Sequence, residues 1–435
     1  MPAETWSTSS RGMHRYPAMA SMVQNTEWHS PTVRIGLASL TAPAAPAAPV
    51  VAASPAVGRE LFEMLLCKSC HGVPGQPAPS DAIALNRVGE KFIGPDALTE
   101  FLQIPERNAP WSRMPNFQLN REEASQLAAF LLTQFPAGTP TNPAPDEPSL
   151  QRGEQLARDR GCFQCHPNPQ SPGRSESQHT APAFRKLAGT EKRSGCLSSS
   201  QPENGSPRFH LSPEEVTALR LFLNVGEESL GRHVASDFTE RWSQELRCQA
   251  CHEAGTGLPP LARSGEKLRP EWMTRLLSGA VGYKPRPWLT SRMPAFPAYA
   301  SGLAAGFAAL DGLPPHSAAE APLDPVAAEV GRKLVSASTG FACVTCHAIG
   351  PFATSTVFEA PGVNLAHASE RLHRDYFIRW VRNPQSFDPT TKMPLYFDEE
   401  GNSALADYFG GNGPNTLHAL WEYLRTAPNI HPPAP

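Results

Sequence analysis

Cys67-Lys68-Ser69-Cys70-His71 is the stretch that decides how this chain is read. Two thiols three residues apart, with an imidazole directly after the second, suit covalent attachment of a c-type haem: the sulfurs join the two vinyl groups of the porphyrin and the histidine is held beneath the iron. The pattern recurs as Cys162-Phe163-Gln164-Cys165-His166, Cys248-Gln249-Ala250-Cys251-His252 and Cys343-Val344-Thr345-Cys346-His347, which together use eight of the nine cysteines. Zinc would need the Cys-x-x-Cys units paired around one ion and gives no reason for a histidine after every second cysteine. The expectation is four covalently bound haem c groups. His71, His166, His252 and His347 are their proximal ligands.

The chain has 435 residues, too many for one small core. Four attachment motifs divide it into units of about a hundred residues or fewer, a size that folds alone, more readily around a buried cofactor. Net charge is −3, so no basic field exists to attract nucleic acid. Only 18% of residues are charged and 47 are proline, a proline share well above the ordinary value of about 5%. That composition fits compact units joined by stiff loops. No run of 18 apolar residues occurs, and no membrane span is expected. Residues 1–54 have two readings: a degraded export signal, with Ile35-Gly36-Leu37-Ala38-Ser39-Leu40 and cleavage options near Ala52 and Ala53, or an Ala/Pro linker.

The first cysteines of the motifs stand at 67, 162, 248 and 343; first to third and second to fourth are both 181 residues apart. A duplicated two-unit cassette has this spacing. Gly58-Arg59-Glu60-Leu61, Gly153-Glu154-Gln155-Leu156 and Gly331-Arg332-Lys333-Leu334 predict a helix before three of the motifs. A middle helix follows, with Leu98 and Leu102, Trp272 and Leu276, and Tyr376 and Trp380 as i, i+4 pairs on one face. A closing helix starts at Asn120, with Glu123 three on, and at Ser212, with Pro213 and Glu215 after it. Proline-rich linkers run over 136–148 and 314–325. The fold class expected is all-α, with four tandem units at 55–140, 149–226, 228–314 and 325–428.

Three of these units place a methionine at matched distance after the motif: Met114, Met293 and Met393, each followed by proline and preceded by Arg113, Arg292 or Lys392. A thioether is the usual sixth ligand where a haem potential is to be high, and the proline fixes the backbone behind it. Motif, middle helix and Met-Pro turn together resemble class I cytochrome c domains, repeated four times over about residues 55–428. The resemblance implies covalent haem, export from the cytoplasm for haem attachment, and one-electron transfer.

The second unit departs from the resemblance. It has no methionine between Met114 and Met273, and alignment puts Ser206-Pro207 where Met114-Pro115 stands. It alone has a spare cysteine, Cys196, which as thiolate fits a low-potential haem. The expected distal ligand is Cys196; His210 and an open sixth position are the alternatives, with His179 a further candidate. The functional expectation is an exported, periplasmic-type multihaem electron-transfer protein that meets donor and acceptor redox proteins, with docking on a larger dehydrogenase or respiratory complex as one form of that. The alternative is a multihaem oxidoreductase whose second haem is the reaction centre, of peroxidase or sulfur-oxidising type. No nucleophile triad, phosphate loop or dinucleotide fingerprint is present.

Overall fold

The computed structural model describes residues 53–73, 82–92, 94–107, 109–136, 146–159, 162, 197, 209, 211–226, 234–252, 257–354 and 361–433. Eleven helices of eight residues or more carry these segments. α1 (Pro55–Met64), α2 (Gly94–Gln103) and α3 (Arg121–Gln134) surround the first motif. α4 (Glu147–Asp159) and α5 (Pro213–Val225) flank the second. α6 (Ala235–Glu245), α7 (Pro270–Leu277) and α8 (Ala300–Leu310) surround the third. α9 (Pro325–Leu334), α10 (Arg374–Arg382) and α11 (Gly413–Leu424) surround the fourth. Two two-residue strands, β1 (His71–Gly72) and β2 (Ile83–Ala84), pair in parallel beside the first motif. The fold is helix-rich with few strands, as the sequence predicts.

The capping chemistry sets where the closing helices begin. Asn120 accepts from the Glu123 amide while Glu123 reaches back to the Asn120 amide, and Ser212 and Glu215 repeat the exchange at α5. The entry helix of each cored unit then crosses its closing helix closely: α1 on α3, α6 on α8, α9 on α11. At the first crossing a Cβ on Gly58 would stand 2.0 Å from the Gln126 carbonyl oxygen, and at the last a Cβ on Gly331 would stand 2.0 Å from the Ala419 carbonyl oxygen. In the third unit the missing side chain has changed helices. Thr239 of α6 is buried, and Gly306 of α8 makes room for it.

Three apolar cores result, one around each crossing: Phe62, Leu98, Leu127 and Leu131; Met273, Tyr299 and Leu303; Leu334, Phe377, Leu420 and Trp421. Leu98 and Leu102 share the buried face of α2 as expected; on α7 the buried residues are Pro270, Trp272, Met273 and Leu277, with Leu276 half-buried. α4 and α5 bury no residue among those described, and Gly153 has no described atom within 4 Å of where its Cβ would be.

The cored units join through equivalent residues. Asn116 and Ala295, each two residues after its methionine, form an antiparallel bridge with N–O distances of 3.0 and 2.7 Å. Leu268 and Leu372, each directly after a short helical turn (Ser264–Lys267 and Ala368–Arg371), form another. Around it the Arg269 amide donates to the Arg371 carbonyl at 2.9 Å and the His373 amide to the Lys267 carbonyl at 3.1 Å. At this second joint the backbone bonds are reciprocal between matched residues.

Candidate haem sites

The same local geometry recurs at three motifs. The residue before the first cysteine is left-handed in each: Leu66 at φ 58°, Arg247 at 56° and Ala342 at 57°. The backbone thus turns sharply out of the entry helix so that both cysteines and the histidine come from one short turn, Cys67–Ser69 and Cys343–Thr345 as 3₁₀ turns and Gln249–His252 as an α turn. The second motif has Gly161 at this position, the residue for which the conformation is least costly.

Each of the three histidines is oriented by a backbone carbonyl further along. His71 Nδ1 lies 3.2 Å from the Ile83 oxygen, His252 Nδ1 2.6 Å from that of Pro259 and His347 Nδ1 2.7 Å from that of Val363. A carbonyl only accepts, so Nδ1 carries the proton and Nε2 keeps its lone pair for a metal. Burial pushes His71 and His347 below the usual imidazole range, which favours the same neutral form. Gly362 lets the chain pass against the His347 ring: a Cβ there would stand 2.4 Å from Cε1. The spacings to the three acceptors are unequal and any residue supplies a carbonyl, so no sequence signal marks them.

The first thiol of each of these three motifs is sheltered. Desolvation pushes Cys67 and Cys343 up to about 12 and Cys248 up to about 11. Groups so placed stay protonated and are poor free nucleophiles. Among the described residues no three His, Cys, Asp or Glu side chains converge as a metal cluster.

The methionines take different settings. Met114 lines a cavity of about 460 Å³ together with Cys67, His71, Leu98, Leu102 and Leu131, so both axial candidates and one attachment thiol of the first unit face a single apolar space. Met393 lies against the fourth core, and its Sδ accepts from Trp380 Nε1 at 3.1 Å. Met293 is 38% exposed. Trp111, 61% exposed, leaves its own core and packs edge-on against Tyr299 of the third unit, with ring centroids 5.1 Å apart. Two of the bases before the methionines cross between units: Arg113 pairs with Glu245 at 2.9 Å and Arg292 with Glu123 at 2.7 Å. Cys162 is exposed; Cys165, His166, His179, Cys196, Ser206, Pro207 and His210 lie outside the described residues.

The first and third attachment turns touch. Arg247 Nη1 donates to the Ser69 carbonyl at 3.2 Å, and Cys251 Sγ lies 3.8 Å from Ser69 Oγ. With this contact and the Met114 cavity described, comparison with known proteins can be placed on the structure. Residues 55–135 match the family model for Cytochrome c. They form a cytochrome c domain. The match spans α1 to Phe135 at the end of α3, the segment that encloses the 460 Å³ cavity. No curated protein matches the chain, and no solved structure matches it.

The residues around that cavity fit a covalent haem: two thiols on one turn, a histidine with its Nε2 free, a facing thioether and an apolar wall. A cytochrome c domain implies covalently bound haem c and haem-based electron transfer. No helix among the described residues is long and apolar enough to cross a membrane.

Proposed function

We propose that the protein is a multihaem c-type cytochrome that binds four haems and carries single electrons between redox partner proteins outside the cytoplasm. Bound haem supplies one-electron oxidation and reduction at iron. The chain supplies everything else. Cys67, Cys70, Cys162, Cys165, Cys248, Cys251, Cys343 and Cys346 would anchor the four groups; His71, His166, His252 and His347, with Met114, Met293 and Met393 for three of them, would ligate the iron. The apolar cores exclude water, which keeps the change in solvation on electron transfer small. The observation that carries the reading is the threefold recurrence of one geometry, a left-handed residue, two cysteines and a carbonyl-oriented histidine, in three copies of a single motif that occurs four times.

The contacts also support an order of proximity that differs from the order in the chain. The first attachment turn abuts the third, and the third unit joins the fourth. The route this favours is first, third, fourth. Intact mass after acid-acetone extraction tests the haem count, with four haem additions expected; fewer in fully matured protein would refute it. Met114→Ala, Met293→Ala and Met393→Ala should each weaken a far-red sulfur-to-iron band of the oxidised protein, and the assignment fails if none does.

The absence of methionine in the second unit favours a second reading, in which that haem, ligated by Cys196 or His210 or left open, is a reaction centre fed by the others. Cys196→Ser should then turn one low-spin thiolate signal high-spin and raise one potential. Permanent docking on a larger dehydrogenase would show as co-purification of that partner.

A further inference from the structure

The joint between the third and fourth units holds a group of cations that form no ion pair among the described residues; Asp388 is the carboxylate that acts on two of them from a distance. Lys267 and Arg371 end the two matching turns of the Leu268–Leu372 bridge, and Arg286, from the segment after α7, is close enough to act on both by charge. Arg371 is 9% exposed, and its buried Nε has no hydrogen-bond partner. The guanidinium lies 5.6 Å from the Trp272 ring centre, and Lys267 Nζ lies 5.4 and 5.7 Å from those of Tyr376 and Trp380. Ring faces attract cations but bring no counter-charge.

The neighbouring carboxylates are already engaged. Glu370 accepts from Tyr283 and Arg275 and adjoins His367. Glu266 pairs with Arg379 and Arg263. Asp388 accepts from Thr390 and acts on Lys267 and Arg286 without forming an ion pair with either. Burial and the repulsion of Arg371 and Arg286 push Lys267 down to about 7, and burial and Arg286 push Arg371 down to about 10. Cations sheltered together without an ion pair are costly, and one carboxylate at a distance leaves three of them with room for more negative charge.

We propose that Lys267, Arg286 and Arg371 form one anion site shared by the third and fourth units, and that its ligands are the propionate carboxylates of the haems on either side. This rests on the multihaem reading above. The guanidinium fork matches a carboxylate in two-pronged fashion. The walls of the site are Trp272, Tyr376 and Trp380, and Trp380 is the same residue that donates to Met393 Sδ. The cations are thus one side chain away from the distal candidate of the fourth unit. Filling the site would neutralise the joint and clamp the two units together.

The test uses the haem-loaded protein, with the haem count fixed first by intact mass. A deficit there would sink the underlying reading, whatever the cations do. Lys267→Met and Arg371→Gln are then compared with wild type at full haem content. Loss of a positive charge beside a propionate favours ferric iron, so two midpoint potentials should fall, by about tenfold in the reduction equilibrium, ~59 mV for one electron. The melting temperature of Lys267→Met should fall as well, and added phosphate should leave wild-type melting unchanged. Removal of a merely unpaired buried cation predicts the opposite: Lys267→Met melts higher and every potential stays where it was, which overturns the proposal. If phosphate or sulfate raises wild-type melting and the variants lose that response, the site takes a free anion and the propionate assignment is wrong.

Discussion

At the scale of single residues, position relative to the attachment turn explains choices that composition does not. Leu66, Arg247 and Ala342 all hold a left-handed backbone, a conformation that costs a residue with a Cβ about 1–2 kcal/mol. Ala342→Gly removes that cost but enlarges the freedom of the unfolded chain. The net expectation is a melting temperature unchanged or raised by up to about 1 kcal/mol of stability, where an alanine inside a helix would lose about that amount on the same exchange. A clear drop on thermal melting would show that the side chain, not the turn, matters at this point. The methionines offer a second contrast. Met393→Ala strands the Trp380 indole N–H, while Met293 is 38% exposed and accepts no recorded hydrogen bond. Met393→Ala should therefore cost more, by about 1 kcal/mol or somewhat above, in denaturant unfolding of the two variants.

At the scale of elements, the helix crossings carry the fold. α1 lies so close to α3, and α9 to α11, that a methyl group at Gly58 or Gly331 would overlap a backbone carbonyl. Backbone cannot step aside cheaply, so Gly58→Ala and Gly331→Ala should each destabilise by about 1–3 kcal/mol. Gly153→Ala is the control. The same residue type starts the same sequence pattern on α4, with no described atom near where the Cβ would go, and alanine there should be neutral or stabilising by up to about 1 kcal/mol. Equal losses at all three sites in thermal melting would mean that α4 also has a close partner. The sequence pattern alone ranks the three glycines together; distance to the facing helix separates them.

At the scale of the whole molecule, the joints between units are polar and local, and one of them is sensitive to pH. Arg292 reaches from beside Met293 to Glu123, the capping residue of α3, and the ion pair with its hydrogen bonds holds the Glu123 carboxyl below the usual carboxylate range. A depressed carboxyl adds stability above the unfolded glutamate value of about 4.3 and loses it as pH falls through the lower folded value. Glu123→Gln should therefore lower the melting temperature at neutral pH, and the gap from wild type should close in acid below about pH 4. A gap that persists unchanged at low pH would mean that the cap, and not the ion pair, supplied the difference.

How much of this was legible in the sequence depended on how local each feature is. The four Cys-x-x-Cys-His motifs are continuous, and the chemistry of two thiols and an imidazole at that spacing is specific enough to be read without a fold. The helix starts at Asn120 and Ser212 are equally local, because a cap is made within four residues. The matched Met-Pro turns could be aligned, but only the structure sets Met114 into the same apolar cavity as His71 while leaving Met293 38% exposed. The carbonyls of Ile83, Pro259 and Val363 were invisible because a backbone oxygen has no residue type. Arg292 with Glu123, and Lys267 with Arg286 and Arg371, were invisible for another reason: 169 residues separate the first pair, and surface charge is the ordinary reading of an isolated arginine. Sequence chemistry by itself determined which residues are candidates to attach and ligate a haem. Which of the described segments touch, and which charges are sheltered where they meet, was decided only by the tertiary structure, because those contacts join residues far apart in the chain.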